Sequence, residues 1–410
     1  MIARPRAKLT VWLSAALAIC GCAGDTGDGG VSLTPIVEWV TEAEYEFGDI
    51  FEGDALFGLV VDVDVVPDGS RVYVLDQTAA EISVWTPGGD LIRRFGRQGE
   101  GPGEFLRPGE LRFRDSLLQV RDLRGFSTFS LEGEFVARNV LPPFVSWRGF
   151  PLANEALLAD DSFLVTPTIP GRVAEGLTGD DPIQEVPFLH AARRDGSWAL
   201  DTIALMSTRN TTIVFPIAGN DFPRLLTQTW VLEDTCWADG LTESVVCART
   251  QDMPPGVVEM VEVPVSSGDT LWMRRFQLAP IPLSEKEVEA DVETTASIVA
   301  RGLGGDSVPS PSLKRRIRET LIVPEYWPAI RGIRLMSNGE VWFVPLADGD
   351  SNTWYTARRG ETEGAIRRIV LPEQFNPRDV NDTHVWGERY DELGVRYVVG
   401  RRLVRSGGGR

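Results

Sequence analysis

The sequence predicts an all-β fold: a six-bladed β-propeller of four-stranded antiparallel blades, with a helical insertion between blades 4 and 5. A phrase from Val65 to Phe105 has the layout of one blade, in which apolar strands alternate with Gly-containing turns. Weaker copies follow, and Val74, Val120 and Val165 in their apolar strands are 46 and 45 residues apart. This period is typical of propeller blades. A four-stranded unit cannot bury both faces alone, so one copy predicts a ring of copies.

The partner strands of the first three blades show the same alternation. Ile82–Leu91, Phe126–Phe135 and Leu189–Trp198 each place alternating apolar residues before a turn that contains glycine. A half-buried strand requires this pattern. We expect a fourth, enlarged blade over Trp230–Arg249 and Val257–Phe276.

After the fourth predicted blade, the spacing of apolar residues becomes that of a helix. Ser284 and Glu287 have the spacing of a capping box, and Val288, Val292 and Ala296 fall on one helical stripe. A second helix is expected from Pro311, which gives a helical insertion over residues 284–322.

The last two blades follow the insertion. Ser337–Val344 repeats the opening phrase and begins the fifth blade, and Thr383–Leu403 carries strands of the sixth. We expect a strand from Pro35–Phe47 to complete the final blade, because an open ring would expose apolar faces. The propeller then covers residues 35–405 with a disordered tail over 406–410, and seven blades is the alternative architecture.

The beginning of the chain predicts export. A positive segment with Arg4, Arg6 and Lys8 precedes the apolar stretch Leu9–Ile19, which is the layout of a secretory signal. Ile19-Cys20-Gly21-Cys22 resembles the lipobox of bacterial lipoproteins. The resemblance implies a signal peptide over 1–21, lipidation of Cys22 and attachment to a membrane, followed by a flexible spacer over 22–34. An ordinary cleaved signal is the alternative.

Ala23, rather than Asp, follows Cys22. By comparison with enteric bacteria, we expect the protein to be lipid-anchored to the cell envelope, at the outer membrane or periplasmic face. The net charge is −18, or −21 without the three positive residues of the signal. With a pI near 4.7, this charge excludes nucleic acid as the main partner. We expect a monomer.

Cysteine and histidine limit the chemistry. Cys236 and Cys247 flank a predicted turn, and in an oxidising compartment they would form a disulfide; two free buried thiols are the alternative. The chain has two histidines, so a zinc site is not expected. His384, near a turn and carboxylates, is the better acid/base candidate, while His190 lies in a strand-like phrase.

Acidic pairs are the remaining candidates for a metal. Asp62/Asp64, Asp160/Asp161, Asp180/Asp181 and Asp348/Asp350 supply oxygens of the kind that calcium prefers. Acidic turn residues are common in propellers, so we expect no cofactor, with calcium or another divalent cation as the alternative.

Three segments carry a family resemblance. Val74–Asp76, Ile82–Trp85 and Phe95–Phe105 resemble an NHL-type repeat of six-bladed propellers. Residues 391–398 are similar to the ending of bacterial propeller lipoproteins of unassigned activity. The resemblance implies an exported protein that usually binds other molecules, and it implies no reaction.

Two functions are therefore open. The first is a non-catalytic, membrane-tethered module that binds a protein, peptide or glycan on one rim of the ring. The second is a hydrolase or lyase with a metal in the central channel, resembling lactonase-like or streptogramin-lyase-like enzymes. The near absence of histidine favours binding.

Overall fold

In the computed structural model, β1 (Ile36–Phe47) is followed by a sheet that shows why this sequence forms blades. The sheet contains β2 (Val60–Val65), β3 (Val72–Asp76), β4 (Glu81–Trp85) and β5 (Leu91–Phe95), each antiparallel to its neighbour. Gly69 has a φ of 73° in the first turn, a conformation that glycine adopts without steric cost. β3 is buried throughout and β5 is half-buried to exposed, so the sheet extends from the interior to the surface.

The structure describes residues 33–48, 55–169, 185–209, 211–215, 224–227, 229–302, 308–346 and 352–406. The predicted signal peptide, Cys22 and most of the predicted spacer and tail lie outside these residues. Leu33–Arg410 forms one compact unit.

Three further sheets repeat the pattern of the first. The second contains β6 (Glu110–Arg114), β7 (Leu117–Asp122), β8 (Gly125–Ser130) and β9 (Phe135–Asn139). The third contains β10 (Ser146–Trp147), β11 (Phe150–Leu157), β12 (Phe163–Pro167), β13 (Glu185–Arg194) and β14 (Ser197–Ser207). After the short pair β15 (Thr212–Phe215) and β16 (Arg224–Thr227), the fourth contains β17 (Thr235–Asp239), β18 (Ser244–Arg249), β19 (Val257–Pro264) and β20 (Trp272–Gln277).

The last part of the chain forms an eight-stranded sheet together with β1. Its other strands are β21 (Ile330–Leu335), β22 (Glu340–Pro345), β23 (Thr353–Arg358), β24 (Ile366–Val370), β25 (Phe375–Val380), β26 (His384–Tyr390) and β27 (Arg396–Arg405). β1 pairs in parallel with β24 and antiparallel with β27. The pairing with β27 agrees with the expectation that a strand from Pro35–Phe47 completes the final part of the ring.

Two helices lie within residues 284–322, between β20 and β21. They are α1 (Glu285–Gly302) and α2 (Pro311–Thr320). The Ser284 amide donates to Glu287 Oε2 at 2.8 Å, and the Glu287 amide donates to Ser284 Oγ at 3.3 Å, which is a capping box. Val292 and Ile317 pack with Phe215 in a small apolar cluster. In the described part of the chain, neither helix is long and apolar enough to cross a bilayer.

The sheets pack face to face around an axis. β2 contacts β6 and β25, and β17 contacts β11 and β21, so the innermost strands are β2, β6, β11, β17, β21 and β25. Apolar clusters fill the spaces between groups: Ile82 packs with Val120, and Val74 packs with Trp386 of the last group. The arrangement is that of a β-propeller. Apart from the short pair β15–β16, four sheets have the size of single blades and one sheet has eight strands. The number of sheets therefore does not by itself give the predicted count of six blades.

Candidate functional site in the central channel

β-Bulges occur along the innermost strands of the ring, and one of them carries Arg378. Register shifts interrupt four of the innermost strands, β2, β11, β21 and β25. The extra residues are Val61, Glu155, Arg331 and Arg378. A bulge re-aims a side chain that regular pairing would turn into the sheet face, and bulges are frequent next to functional sites.

Five charged side chains from four innermost strands form what we call the channel cluster: Asp62, Glu110, Arg112, Arg334 and Arg378. Burial raises the pKa of Asp62 to about 6, assisted by the negative charge of Glu110 and opposed by Arg378 and Arg334. The charges therefore interact across the axis, because β21 and β25 lie on different sheets from β2 and β6.

Arg112 crosses the channel. It starts from β6, and its Nη1 donates to the Ala238 carbonyl oxygen on β17 at 2.9 Å. Its guanidinium carbon lies 5.7 Å from the ring centroid of Trp237. β6 and β17 belong to sheets that are not neighbours in chain order, because the sheet that contains β11 comes between them. The Arg112 side chain therefore reaches across the space at the axis.

Glu110 is fully engaged by arginine. Arg112 Nε donates to Glu110 Oε1 at 2.6 Å, and Arg121 Nη2 lies 2.9 Å from Glu110 Oε2. Although burial acts to raise its pKa, these two cations lower the pKa of Glu110 overall. The carboxylate is ionised and neutralised by its neighbours.

Arg334 and Arg378 are less completely paired. Arg334 donates to the Pro377 carbonyl oxygen and has no ion pair among the described residues. Burial, and then the charge of Arg378, lowers the pKa of Arg334. Arg378 Nη2 donates to Glu388 Oε1 at 2.7 Å, while its Nε is buried without a hydrogen-bond partner.

A cavity of about 310 Å³, which we call the mouth cavity, is connected to the cluster through Arg121, which lines the cavity and pairs with Glu110. It lies on the face that carries the β3–β4 and β7–β8 turns, and its lining includes Gln77, Arg107, Gly109, Arg121, Leu123 and Asn154. Arg121 Nη1 donates to the Asn154 carbonyl oxygen at 2.9 Å. The Asn154 Oδ1 atom is buried without a partner, and the Leu123 side chain is 70% exposed.

The acidic pair Asp62 and Asp64 on β2 forms hydrogen bonds to the backbone of the neighbouring sheet. Asp62 Oδ2 accepts the Leu111 amide at 2.8 Å, and Asp64 Oδ2 accepts the Phe113 amide at 3.3 Å. Burial and the neighbouring Asp379 raise the pKa of Asp64 well above its usual value. These carboxyl groups connect β2 to β6.

The described residues contain no group of three or more His, Cys, Asp or Glu placed to hold a metal ion. The channel carboxylates face arginines and backbone amides, a donor set that does not fit a divalent cation. Of the other acidic pairs, Asp180/Asp181 and Asp348/Asp350 lie outside the described residues. Asp160 Oδ1 accepts the Ser162 amide at 3.0 Å.

Both histidines lie away from the channel cluster. His384 is on β26, where Nδ1 is 2.8 Å from Thr383 Oγ1 and Nε2 is 3.2 Å from Glu44 Oε2 of β1. His190 Nε2 is 2.8 Å from Ser162 Oγ beside a cavity of about 470 Å³, and burial lowers its pKa. An acid/base role for His384 stays a prediction.

The two body cysteines lie opposite each other on β17 and β18 and are joined as a disulfide in the structure. The channel arginines stand in no motif that the sequence pattern reveals. One signal was available: the first strand of a blade is innermost, and Glu110–Arg114 alternates charged and apolar residues.

No family model and no curated protein matches the chain. Solved structures with a similar fold include a member of the DUF4221 family from Bacteroides vulgatus, with 10% identity, coverage of 91% of this chain and 100% of that chain, and a TM-score of 0.49. A putative exported protein from Bacteroides fragilis has 10% identity, coverage of 90% and 100%, and a TM-score of 0.46. A streptogramin B lyase has 12% identity, coverage of 87% and 98%, and a TM-score of 0.38. At these values, the similarities carry no argument about function.

Proposed function

We propose that the ring has six blades, with the eight-stranded sheet counted as two. β21–β24 form the fifth blade, and β25–β27 with β1 form the sixth. Each half is antiparallel throughout, and the one link between them is the parallel pairing of β1 with β24. On this count α1 and α2 form an insertion between blades 4 and 5.

We further propose that the protein is exported and attached to the cell envelope through lipidated Cys22, at the outer membrane or periplasmic face. The support is the lipobox-like sequence before Cys22 and the charged, then apolar segment that precedes it. Replacing Cys22 with Ser should release the protein from the membrane fraction. A variant that remains in the membrane fraction would refute the anchor.

We propose that this propeller is a non-catalytic binding module whose protein, peptide or glycan ligand contacts the mouth cavity. One observation carries the proposal: the cavity combines the unpartnered Asn154 Oδ1, the guanidinium of Arg121 and the exposed side chain of Leu123. Ligand sites combine apolar surface with a few convergent polar groups in this way. Arg121 lies on β7, Asn154 on β11 and Leu123 in the β7–β8 turn, so the rigid ring would present these groups in fixed positions.

Gly109 gives a direct test, because open space lies where its Cβ would be. We expect Gly109→Phe to fill the mouth cavity while the ring stays folded. Gly88→Phe in the β4–β5 turn is the matched control, since a Cβ there would approach only Thr86 Oγ1, at 3.8 Å. The turns at the two ends of a strand lie on opposite faces of the ring, so the control leaves the cavity open.

The chain from residue 23 onward should be screened on peptide and glycan arrays. A ligand that binds the wild type and the Gly88→Phe variant, and is lost in the Gly109→Phe variant, supports the proposal. If no peptide or glycan binds, these two ligand classes are excluded, and if Gly109→Phe binds as well as the wild type, the proposal is wrong. Stoichiometric metal that survives dialysis would favour the metal-dependent hydrolase or lyase.

A further inference from the structure

We propose that the channel binds an oxyanion, a carboxylate, sulfate or phosphate group, between Arg334 and Arg378. This inference rests on the proposed function for its biological meaning, since it names an acidic group on the ligand as a part that the ring binds. The anion site can nevertheless be tested by itself with small ions.

The carboxylates near the channel cluster already have partners. Glu110 is shared by Arg112 and Arg121, Glu388 pairs with Arg378, and Asp62 accepts the Leu111 amide. Arg334 has no ion pair within the described part of the chain. A desolvated cation without a counterion is unfavourable, so an anion beside it would be stabilised.

Arg378 is held in a fixed position beside Arg334. Its Nη2 is bound by Glu388, which is also held by Arg396 Nη1 at 2.6 Å. Its Nε is buried and unpartnered. The guanidinium of Arg334 lies against the backbone next to Arg378, because it donates to the carbonyl oxygen of Pro377. The positive charge of Arg378 also lowers the pKa of Arg334. Two adjacent guanidinium groups provide the forked donors that bind planar carboxylates and tetrahedral oxyanions.

The channel has free space at this position. Gly332 precedes Arg334 by two residues on β21, so both lie on the same side of the strand. An added Cβ at Gly332 would meet no heavy atom within 4 Å, and its φ is not in the left-handed region. The space beside Arg334 is therefore open, and a side chain can be introduced there without backbone strain.

The test is calorimetric titration of the chain from residue 23 onward with sodium sulfate, phosphate and acetate, each at constant ionic strength. We expect saturable binding of at least one anion, and the preferred anion distinguishes a carboxylate ligand from a sulfate or phosphate ligand. Arg334→Gln should weaken binding about tenfold or more, the usual effect of losing a charged hydrogen bond. Arg71→Gln, at an exposed ion pair with Glu132, is the control and should bind as the wild type does.

Two further variants keep the test decisive if Arg334→Gln does not fold. Gly332→Leu should abolish binding by filling the space. Asp62→Asn removes a negative charge that acts on both arginines, so it should increase the affinity for the anion. An unfolded variant could not show an increased affinity. The proposal is overturned if no anion binds saturably, or if neither Gly332→Leu nor Asp62→Asn changes the affinity. Such a result would leave the array experiment with Gly109→Phe unaffected, so the two proposals can fail separately.

Discussion

Arg359 shows how one side chain joins two neighbouring sheets. It follows β23 and reaches the fourth sheet, where it forms ion pairs with Asp239 and Glu262. Its Nη2 also donates to Ser244 Oγ at 3.0 Å. The guanidinium is nearly buried, so its removal would leave two carboxylates unpaired in a desolvated setting.

We expect Arg359→Ala to lower the free energy of unfolding by about 3 kcal/mol, the usual cost of breaking a buried pair. Urea unfolding of the two proteins measures the difference. The adjacent Arg358 is the matched control, because its side chain is 64% exposed and lies 3.8 Å from Glu340. Equal losses for Arg358→Ala and Arg359→Ala would show that Arg359 does not join the sheets.

Asp62 makes the free energy of unfolding fall as the pH rises, whereas most carboxyl groups make it rise. Its pKa in the folded protein is about 6, against an ordinary value of 3.8, because of burial and then Glu110. The folded state therefore binds this proton more tightly than the unfolded state. The resulting stabilisation is fully present below about pH 4 and is lost as the pH rises through about 6.

Asp62→Asn removes this titration while keeping a side-chain oxygen for the Leu111 amide. We expect the variant to lose less stability than the wild type between pH 5 and pH 7, as measured by urea unfolding across that range. The difference between the two curves reports the titration of Asp62 together with its effect on the neighbouring Glu110 and Asp64. Parallel curves would contradict the raised pKa.

At the scale of elements, β1 holds the ends of the chain together. It pairs with β27 from Trp39 to Phe47 and with β24 from Ile36 to Trp39. Just before it, the Thr34 amide donates to the Gln277 carbonyl oxygen of β20 at 2.9 Å. β1 therefore covers two strand edges that would otherwise be open to pairing with other chains.

Deleting residues 33–47 should abolish the single cooperative thermal transition, because the two uncovered edges and the face of Trp386 become exposed. Deleting residues 23–32 is the control and should leave the melting temperature nearly unchanged. Circular dichroism and light scattering follow unfolding and association. A cooperative, monomeric protein without residues 33–47 would contradict the role assigned to β1.

The pair Cys236 and Cys247 belongs to the same scale, since it connects β17 to β18. A cross-link over ten intervening residues limits the unfolded chain, so the Cys236→Ser, Cys247→Ser double variant should lose about 2 to 3 kcal/mol. Intact mass before and after alkylation shows whether both thiols are oxidised. Alkylation of both thiols without prior reduction would show that the disulfide does not form.

For the whole molecule, the sequence predicted the blades better than the site. Strands and turns recur locally, so Val74, Val120 and Val165 revealed the repeat without any long-range information. The capping box at Ser284 is also local, and the structure places it at the start of a helix. Complete burial of the apolar strand around Val74 follows from stacking of the repeats.

The channel cluster could not be predicted in the same way. Arg112 and Arg334 lie more than two hundred residues apart, and they meet because opposite sheets of a ring share one axis. Arg378 reaches that axis through a bulge, which the strand pattern does not reveal. The turn beside carboxylates that singled out His384 does not point to this cluster, because the axis selects residues by their place in the ring; the acid/base role of His384 stays a prediction.

The most direct test of the account is a crystal structure of the chain from residue 23 onward, grown in sodium sulfate. We predict six four-stranded sheets around one axis, β1 as the outer strand of the last sheet, and a sulfate ion bound between Arg334 and Arg378. Seven sheets, or a channel in which Arg334 is paired with a carboxylate and no anion is bound, would contradict it.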